Sequence, residues 1–169
     1  MPLYFQTPRF VIREFKPEEE KDFVDFFNDE RVLVHIPKRT RLENTEIFHT
    51  TLADYKAGKA LGRWGMFHNG DGDYMGSCLL RDFYDYKGKI ELGYSFHVKY
   101  WGQGFATEMA HILVNYGFMN TDAAEIVAVT TLTNLASQKV LLKAGMTRGE
   151  NFKKDGEELA YFSIKRSEG

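Results

Sequence analysis

One cysteine, Cys78, stands in the whole chain, so no internal disulfide framework forms, and that scarcity fits a reducing compartment. No run of apolar residues approaches the length needed to cross a bilayer. The opening stretch, MPLYFQTPRF, has neither the cationic start nor the apolar core of a signal peptide. An excess of one charge is also missing. Lys and Arg number 22 against 24 Asp and Glu, a net charge of −2, which argues against a nucleic-acid-binding surface. The four prolines are scattered, and there is no internal repeat or low-complexity linker. These absences lead us to expect a soluble cytoplasmic protein with no membrane or nucleic-acid partner. At 169 residues a single domain over 1–169 is expected, large enough to bury about 70% of its unfolded surface. Its oligomeric state is open.

What is present is a regular alternation of strand and helix patterns. Arg9 to Glu14 reads as a short strand. Pro17 then opens an acid-led helix whose Phe23, Phe26 and Phe27 recur at helical spacing. The stretch from Arg31 to Leu42 is interrupted by Pro37. Asn44 to Ala57 reads as a second helix ended by Gly58. Arg63 to His68 and Tyr74 to Arg81 form a hairpin around Asn69-Gly70-Asp71-Gly72. From Lys89 to Val98, Ile90, Leu92, Tyr94, Phe96 and Val98 alternate with Glu91, Gly93, Ser95 and His97, a clear strand with one apolar face. A helix from Gly104 to Met119 follows, then the apolar run Ile126 to Val129, suited to a strand buried on both faces. Strand, helix and strand of these lengths make a parallel pair with a crossover. Asn134 to Ala144 is a short helix stopped by Gly145, and Thr147 to Phe152 pairs with Glu158 to Lys165 in a closing hairpin.

The stretch Lys99 to Met109, KYWGQGFATEM, is the most informative. It leaves a strand and opens a helix, yet Tyr100 to Ala106 include no Ser, Thr, Asp or Asn to cap that helix. The first N–H groups of a helix attract negative charge, and glycine lets a ligand approach the backbone, so a bound anion fills the gap most simply. Water is the alternative occupant. The crossover places this helix start at the carboxyl end of a strand, where open α/β sheets bind ligands. A dinucleotide fingerprint does not fit, because Thr107 stands where a third Gly or Ala is needed and Thr130 and Thr131 where an acid is needed, which leaves a nucleotide-binding oxidoreductase a distant third reading. A Walker loop would require Gly-Lys-Ser/Thr, which the chain lacks. Asp71, Asp73, Gly76 and Asp82 fall at calcium-loop positions, but Met75 takes a ligand place and strands replace the flanking helices.

Three segments in order resemble the GNAT superfamily of N-acetyltransferases, in particular the RimJ/RimL-type branch that acetylates ribosomal-protein N-termini. TPRFVIREFKPEEEKDF is similar to the family's first strand and helix. IELGYSFHVKYWGQGFATEMA is similar to its fourth strand, pyrophosphate loop and third helix. NLASQKVLLKAGM is similar to its late Asn-x-x-Ser helix. Trp101 stands where many relatives carry Gln or Arg. The resemblance implies a single-domain α/β (α+β) fold: a mixed central sheet, a parallel strand pair at the acyl-CoA cleft, and about four flanking helices. It implies acetyl-CoA as cosubstrate, with no metal. The expected reaction is direct transfer in a ternary complex to a primary amine, either a protein N-terminal α-amine or a small-molecule amine. A CoA-binding regulator that has lost transfer is the rival reading.

The resemblance also assigns residues. The backbone N–H groups of Gly102, Gln103, Gly104, Phe105 and Ala106, with the Thr107 hydroxyl, are expected to cradle the CoA pyrophosphate. Main-chain N–H groups at Phe96, His97 and Val98 are expected to bind pantetheine and polarise the thioester carbonyl, where charge develops during attack. Asn134 is placed to cap its own helix, and the family reading adds a CoA contact. Ser137 is an ordinary first-turn residue by position, and by resemblance the acid for the departing sulfur. Glu91, on the polar face of its strand, is the first candidate to take the amine proton; the alternative is a solvated carboxylate. His97 is the second candidate, provided that no bulge turns it. Glu108 reads as a structural charge and Cys78 as buried filler. The loop Phe83 to Tyr86 and the segment His35 to Arg41 are candidate walls of an acceptor groove.

Overall fold

The computed structural model describes residues 3–167. The chain divides into two compact units, one running to Leu79 and joined by Tyr94–Gln103, the other comprising Leu80–Gly93 and everything from Gly104 onward. The fold is mixed α/β with four α-helices, nine strands and one parallel strand pair among the described residues.

In the first unit, β1 (Tyr4–Gln6), β2 (Phe10–Arg13), β3 (Gly62–His68) and the start of β4 (Tyr74–Asp82) lie side by side in that order. The β1–β2 and β2–β3 pairs are antiparallel, with Phe5 opposite Ile12 and Ile12 opposite Met66. Strand β1 has all three residues exposed, so it carries no burial pattern and went unread in the sequence. The acid-led segment after Pro17 is broken. A 3-10 turn at Pro17–Glu19 leads into α1 (Glu20–Asp25), and a second at Phe26–Asn28 follows. Helix α2 (Arg41–Lys56) starts three residues before the expected Asn44. Thr40 and Glu43 form a reciprocal capping box there, Thr40 Oγ1 accepting from the Glu43 N–H at 3.1 Å. Phe15, Phe23, Phe26, Phe48, Phe67 and Tyr74 pack as a core, largely edge to face. Burying each such ring contributes roughly 1.5–3 kcal/mol, and each good aromatic pair about 0.5–1.5 kcal/mol more.

In the second unit, the end of β4 leads by a tight loop into β5 (Lys89–Phe96), whose residues from Tyr94 onward belong to the first unit. Helix α3 (Phe105–Asn120), β6 (Glu125–Thr131) and α4 (Leu135–Lys143) follow, then β7 (Thr147–Arg148), β8 (Phe152–Lys154) and β9 (Glu157–Lys165). The expected strand from Thr147 to Phe152 is therefore two short strands, both paired antiparallel to β9. Strands β5 and β6 are parallel, as the crossover requires. Their ladder comprises only Lys89↔Glu125, Ile90↔Ile126 and Glu91↔Val127, although β5 continues to Phe96 and β6 to Thr131. Beyond Glu91 the ladder stops, and β6 stays paired with β9 along its whole length. The foot of the parallel pair is strapped by Lys89, whose ammonium donates to the Tyr161 hydroxyl at 3.0 Å and pairs with Glu125 at 3.2 Å.

Candidate active site

Strand β5 ends at Phe96. His97 is extended, Val98–Tyr100 form a 3-10 turn, and the chain then reaches Gly102 (φ 71°) and Gly104 (φ 85°) before α3 begins. Both glycines occupy the left-handed region, which costs an L-residue about 1–2 kcal/mol. A Cβ on Gly102 would meet nothing within 4 Å, so its requirement is conformational, not steric. Gly104 is the N-cap and offers no side-chain cap. The first main-chain bond of the helix runs from the Glu108 N–H to the Gly104 carbonyl at 3.1 Å. Among the described residues, the main-chain N–H groups of Gly102, Gln103, Gly104, Ala106 and Thr107 make no hydrogen bond to the protein. They stand at the positive end of a sixteen-residue helix, an arrangement that receives phosphate.

Side chains and carbonyls hold this loop while leaving those amides out of its bonding. Arg9 Nη1 donates to the Gln103 carbonyl at 2.8 Å, and Gln103 Nε2 to the Lys99 carbonyl at 2.6 Å. The Trp101 indole N–H donates to the Phe96 carbonyl at 2.9 Å and pins the loop to the strand end. The His97 N–H donates to the Met75 carbonyl at 2.7 Å, so this amide is used inside the protein and is not open to a ligand as expected. The Val98 N–H makes no hydrogen bond among the described residues. Gly76 explains how β4 and the end of β5 come so close: its φ is 149°, and a Cβ there would lie 2.1 Å from the Ser95 carbonyl oxygen.

The His97 side chain lines a cleft of about 460 Å³ together with Asp22, Asp25, Phe26, Asp71, Asp73 and Tyr74, all in the first unit. Its ring centroid lies 4.5 Å from that of Phe26 and 5.8 Å from that of Tyr74. Burial is the largest influence on the imidazole and disfavours its charged form. Asp73, Asp29 and Asp22 pull the other way and Lys99 reinforces burial, and the net shift is downward from 6.5. His97 is therefore neutral near pH 7 and able to accept a proton.

The remaining candidates lie in the second unit. Glu91 is only 7% exposed and pairs with Arg81, whose Nε donates to Oε1 at 3.0 Å. Asn134 caps α4: its Oδ1 accepts from the Ser137 N–H at 3.2 Å, and its Nδ2 donates to the Thr130 hydroxyl at 3.1 Å. Ser137 sits half-buried in that first turn. Phe83 packs on Tyr86, Phe152 and Tyr161, so the Phe83 to Tyr86 loop is part of an aromatic cluster, with Tyr84 and Tyr86 about half exposed. In the first unit, Arg41, at the end of the other proposed wall, pairs with Asp25 at 2.7 Å. Cys78 is fully buried and its thiol is pushed upward by burial, as a space-filling residue would be. Sequence reasoning missed Arg9 and Asp73 as loop supports. In the sequence Asp73 stands out only as a calcium-loop position, and only the tertiary fold brings it to Tyr100.

Comparison with known proteins places these features in context. The acetyltransferase (GNAT) domain family matches residues 9–147. The uncharacterized N-acetyltransferase YnaD of Bacillus subtilis is 28% identical over 163 residues, covering 90% of this chain and 87% of that protein. The ribosomal-protein-S5-alanine acetyltransferase of Vibrio fischeri superposes with a TM-score of 0.82 at 16% identity, covering 96% of each chain. RimL, a ribosomal L7/L12 α-N-protein acetyltransferase in complex with coenzyme A, superposes with a TM-score of 0.80 at 11% identity, covering 96% of this chain and 98% of that one.

Proposed function

This chain belongs to the GNAT acetyltransferase family, and from that premise we propose that it moves the acetyl group of acetyl-CoA directly to a primary amine in a ternary complex. The observation that carries the proposal is that the main-chain N–H groups of Gly102, Gln103, Gly104, Ala106 and Thr107, at the start of α3, make no hydrogen bond among the described residues. Those donors, with Phe105 and the Thr107 hydroxyl, are assigned to the CoA diphosphate, and Asn134 to a contact along the CoA arm. The match over residues 9–147 runs through both compact units, which supports one N-acetyltransferase domain over 1–169. No helix among the described residues is long and apolar enough to cross a membrane, and the cytoplasm is the setting we propose.

Acetyl-CoA supplies an acyl carbon activated as a thioester. The acceptor nitrogen bonds to that carbon, the C–S bond breaks, and charge passes through the carbonyl oxygen, for which the Val98 N–H is the assigned donor. A lysine-like amine has a pKa of about 10.4 and an α-amine about 7.7–8.0, so both must lose a proton to attack. Between the two candidate bases, the surroundings favour His97 over Glu91. His97 is neutral, lines an open cleft and makes no side-chain hydrogen bond among the described residues. Glu91 is buried and bonded to Arg81. A thiol with a pKa of about 8.5 leaves readily as thiolate, so Ser137, assigned to protonate it, has modest work to do. The carboxylates around the His97 cleft support an acceptor that carries positive charge before it is deprotonated, either a protein N-terminus or a small-molecule amine.

An acceptor panel with acetyl-CoA tests the proposal, with thiol release as the rate and mass spectrometry identifying the acetylated product. Amine-dependent thiol release is the expected result. Binding of CoA with no release for any amine would favour a regulator that retains the fold without transfer.

A further inference from the structure

We infer that Asp73, in the turn between β3 and β4, is a positioning residue that holds the pyrophosphate loop in its ligand-receiving form. This inference rests on the assignment of that loop to CoA. A loop with two left-handed glycines has many alternative conformations, and amides grip an anion well only when their directions are set beforehand. Asp73 Oδ2 accepts a hydrogen bond from the Tyr100 hydroxyl at 2.5 Å and pairs with the Lys99 ammonium at 2.8 Å. Both partners belong to the 3-10 turn Val98–Tyr100, which Trp101 joins to Gly102.

The anchor is itself fixed. The Asp73 N–H donates to Asp71 Oδ1 at 2.9 Å, and its carbonyl accepts from the His68 N–H at 2.9 Å. The His68 ring stacks on Tyr100 with centroids 5.9 Å apart and planes 25° from parallel. The Lys99 side chain is 63% exposed, so its ion pair with Asp73 alone would be a weak surface contact. Tyr100 is different: it is only 8% exposed, and its hydroxyl is bonded to a carboxylate. The charge-assisted hydrogen bond from that hydroxyl is the stronger tether. Arg9, bonded to the Gln103 carbonyl, secures the far side of the loop.

Titration of coenzyme A into the wild type, Asp73→Ala, Tyr100→Phe, Lys99→Ala and the Asp73→Ala/Tyr100→Phe double variant tests the inference, alongside steady-state kinetics. Asp73→Ala and Tyr100→Phe are each expected to raise the Kd for CoA, and the KM for acetyl-CoA, about tenfold, and kcat is read in Tyr100→Phe, where it should stay within about twofold, because Asp73 also borders the His97 cleft. Lys99→Ala is expected to change the Kd by less than about twofold. The double variant should bind no more weakly than Asp73→Ala, because both changes remove one tether. Tyr100→Phe keeps the ring that fills the core, so it reports even if Asp73→Ala folds poorly. Wild-type affinity in Tyr100→Phe, or fully additive losses in the double variant, would overturn the inference. Failure of the wild type itself to bind CoA would instead overturn the functional reading on which it stands.

Discussion

His97 and Glu91 sit six residues apart in the sequence, and their surroundings separate them chemically. Glu91 has Arg81 against its carboxylate, whereas His97 has aromatic rings on two sides and carboxylates at its cleft. With its pKa held below 6.5 by burial, His97 binds fewer protons in the folded than in the unfolded protein at mildly acid pH. Its contribution to stability is therefore complete above about 6.5 and is lost as the pH falls through its folded value. As the proposed base, His97 should act through the same titration. In the wild type, kcat/KM should rise with pH through an inflection below 6.5 and then level until the amine or another group intervenes. His97→Gln should lower kcat/KM by about 10²–10⁴-fold and erase that inflection. A pH–rate profile of the variant that retains the inflection would remove His97 from this role. The alternation along β5 made Glu91 visible as a polar-face residue, but nothing near it in sequence announced Arg81 ten residues earlier as its partner.

At the scale of elements, the proposed pyrophosphate loop depends on backbone conformation as well as on the side chains that tether it. Gly102→Ala tests this, since the added methyl meets no protein atom within 4 Å and the penalty within the protein comes from φ 71°. It is expected to weaken CoA binding about tenfold, from the roughly 1–2 kcal/mol cost of the left-handed region. Gly102→Asn should recover part of that loss, because Asn tolerates this conformation. A titration in which Gly102→Ala binds CoA as tightly as the wild type would show that the conformation of Gly102 does not matter to the loop. Patterns of this kind were legible in the sequence where apolar periodicity was strong: β5, α3 and β6 were each recognisable, with ends shifted by one or two residues. The segment after Pro17 was read as one helix because three phenylalanines recur at helical spacing, yet it breaks into a short α-helix between 3-10 turns. The start of α2 was missed although Thr40 and Glu43 carry a capping-box signature. Strand β1 was missed for a sounder reason, since its exposed residues have no pattern to read.

For the whole molecule, the family assignment and the physical reading of the loop meet at the same residues by separate routes. The absence of a capping side chain between Tyr100 and Ala106 was legible in the sequence and pointed to an anion; the motif order pointed to acyl-CoA. The supports of that loop were not legible. Arg9 lies 94 residues from Gln103 and Asp73 lies 27 residues from Tyr100, contacts that only the tertiary fold creates. The proposed acceptor cleft is lined by residues as distant in sequence as Asp22 and His97, which leave no local motif. The central claim is that the amides at the start of α3 receive the diphosphate of coenzyme A, and a residue-resolved ¹H–¹⁵N chemical-shift titration with coenzyme A tests it most directly. The amide signals of Gly102, Gln103, Gly104, Ala106 and Thr107 are predicted to shift furthest and to saturate together. Saturable binding that leaves those five signals in place, or no binding at all, would contradict the account.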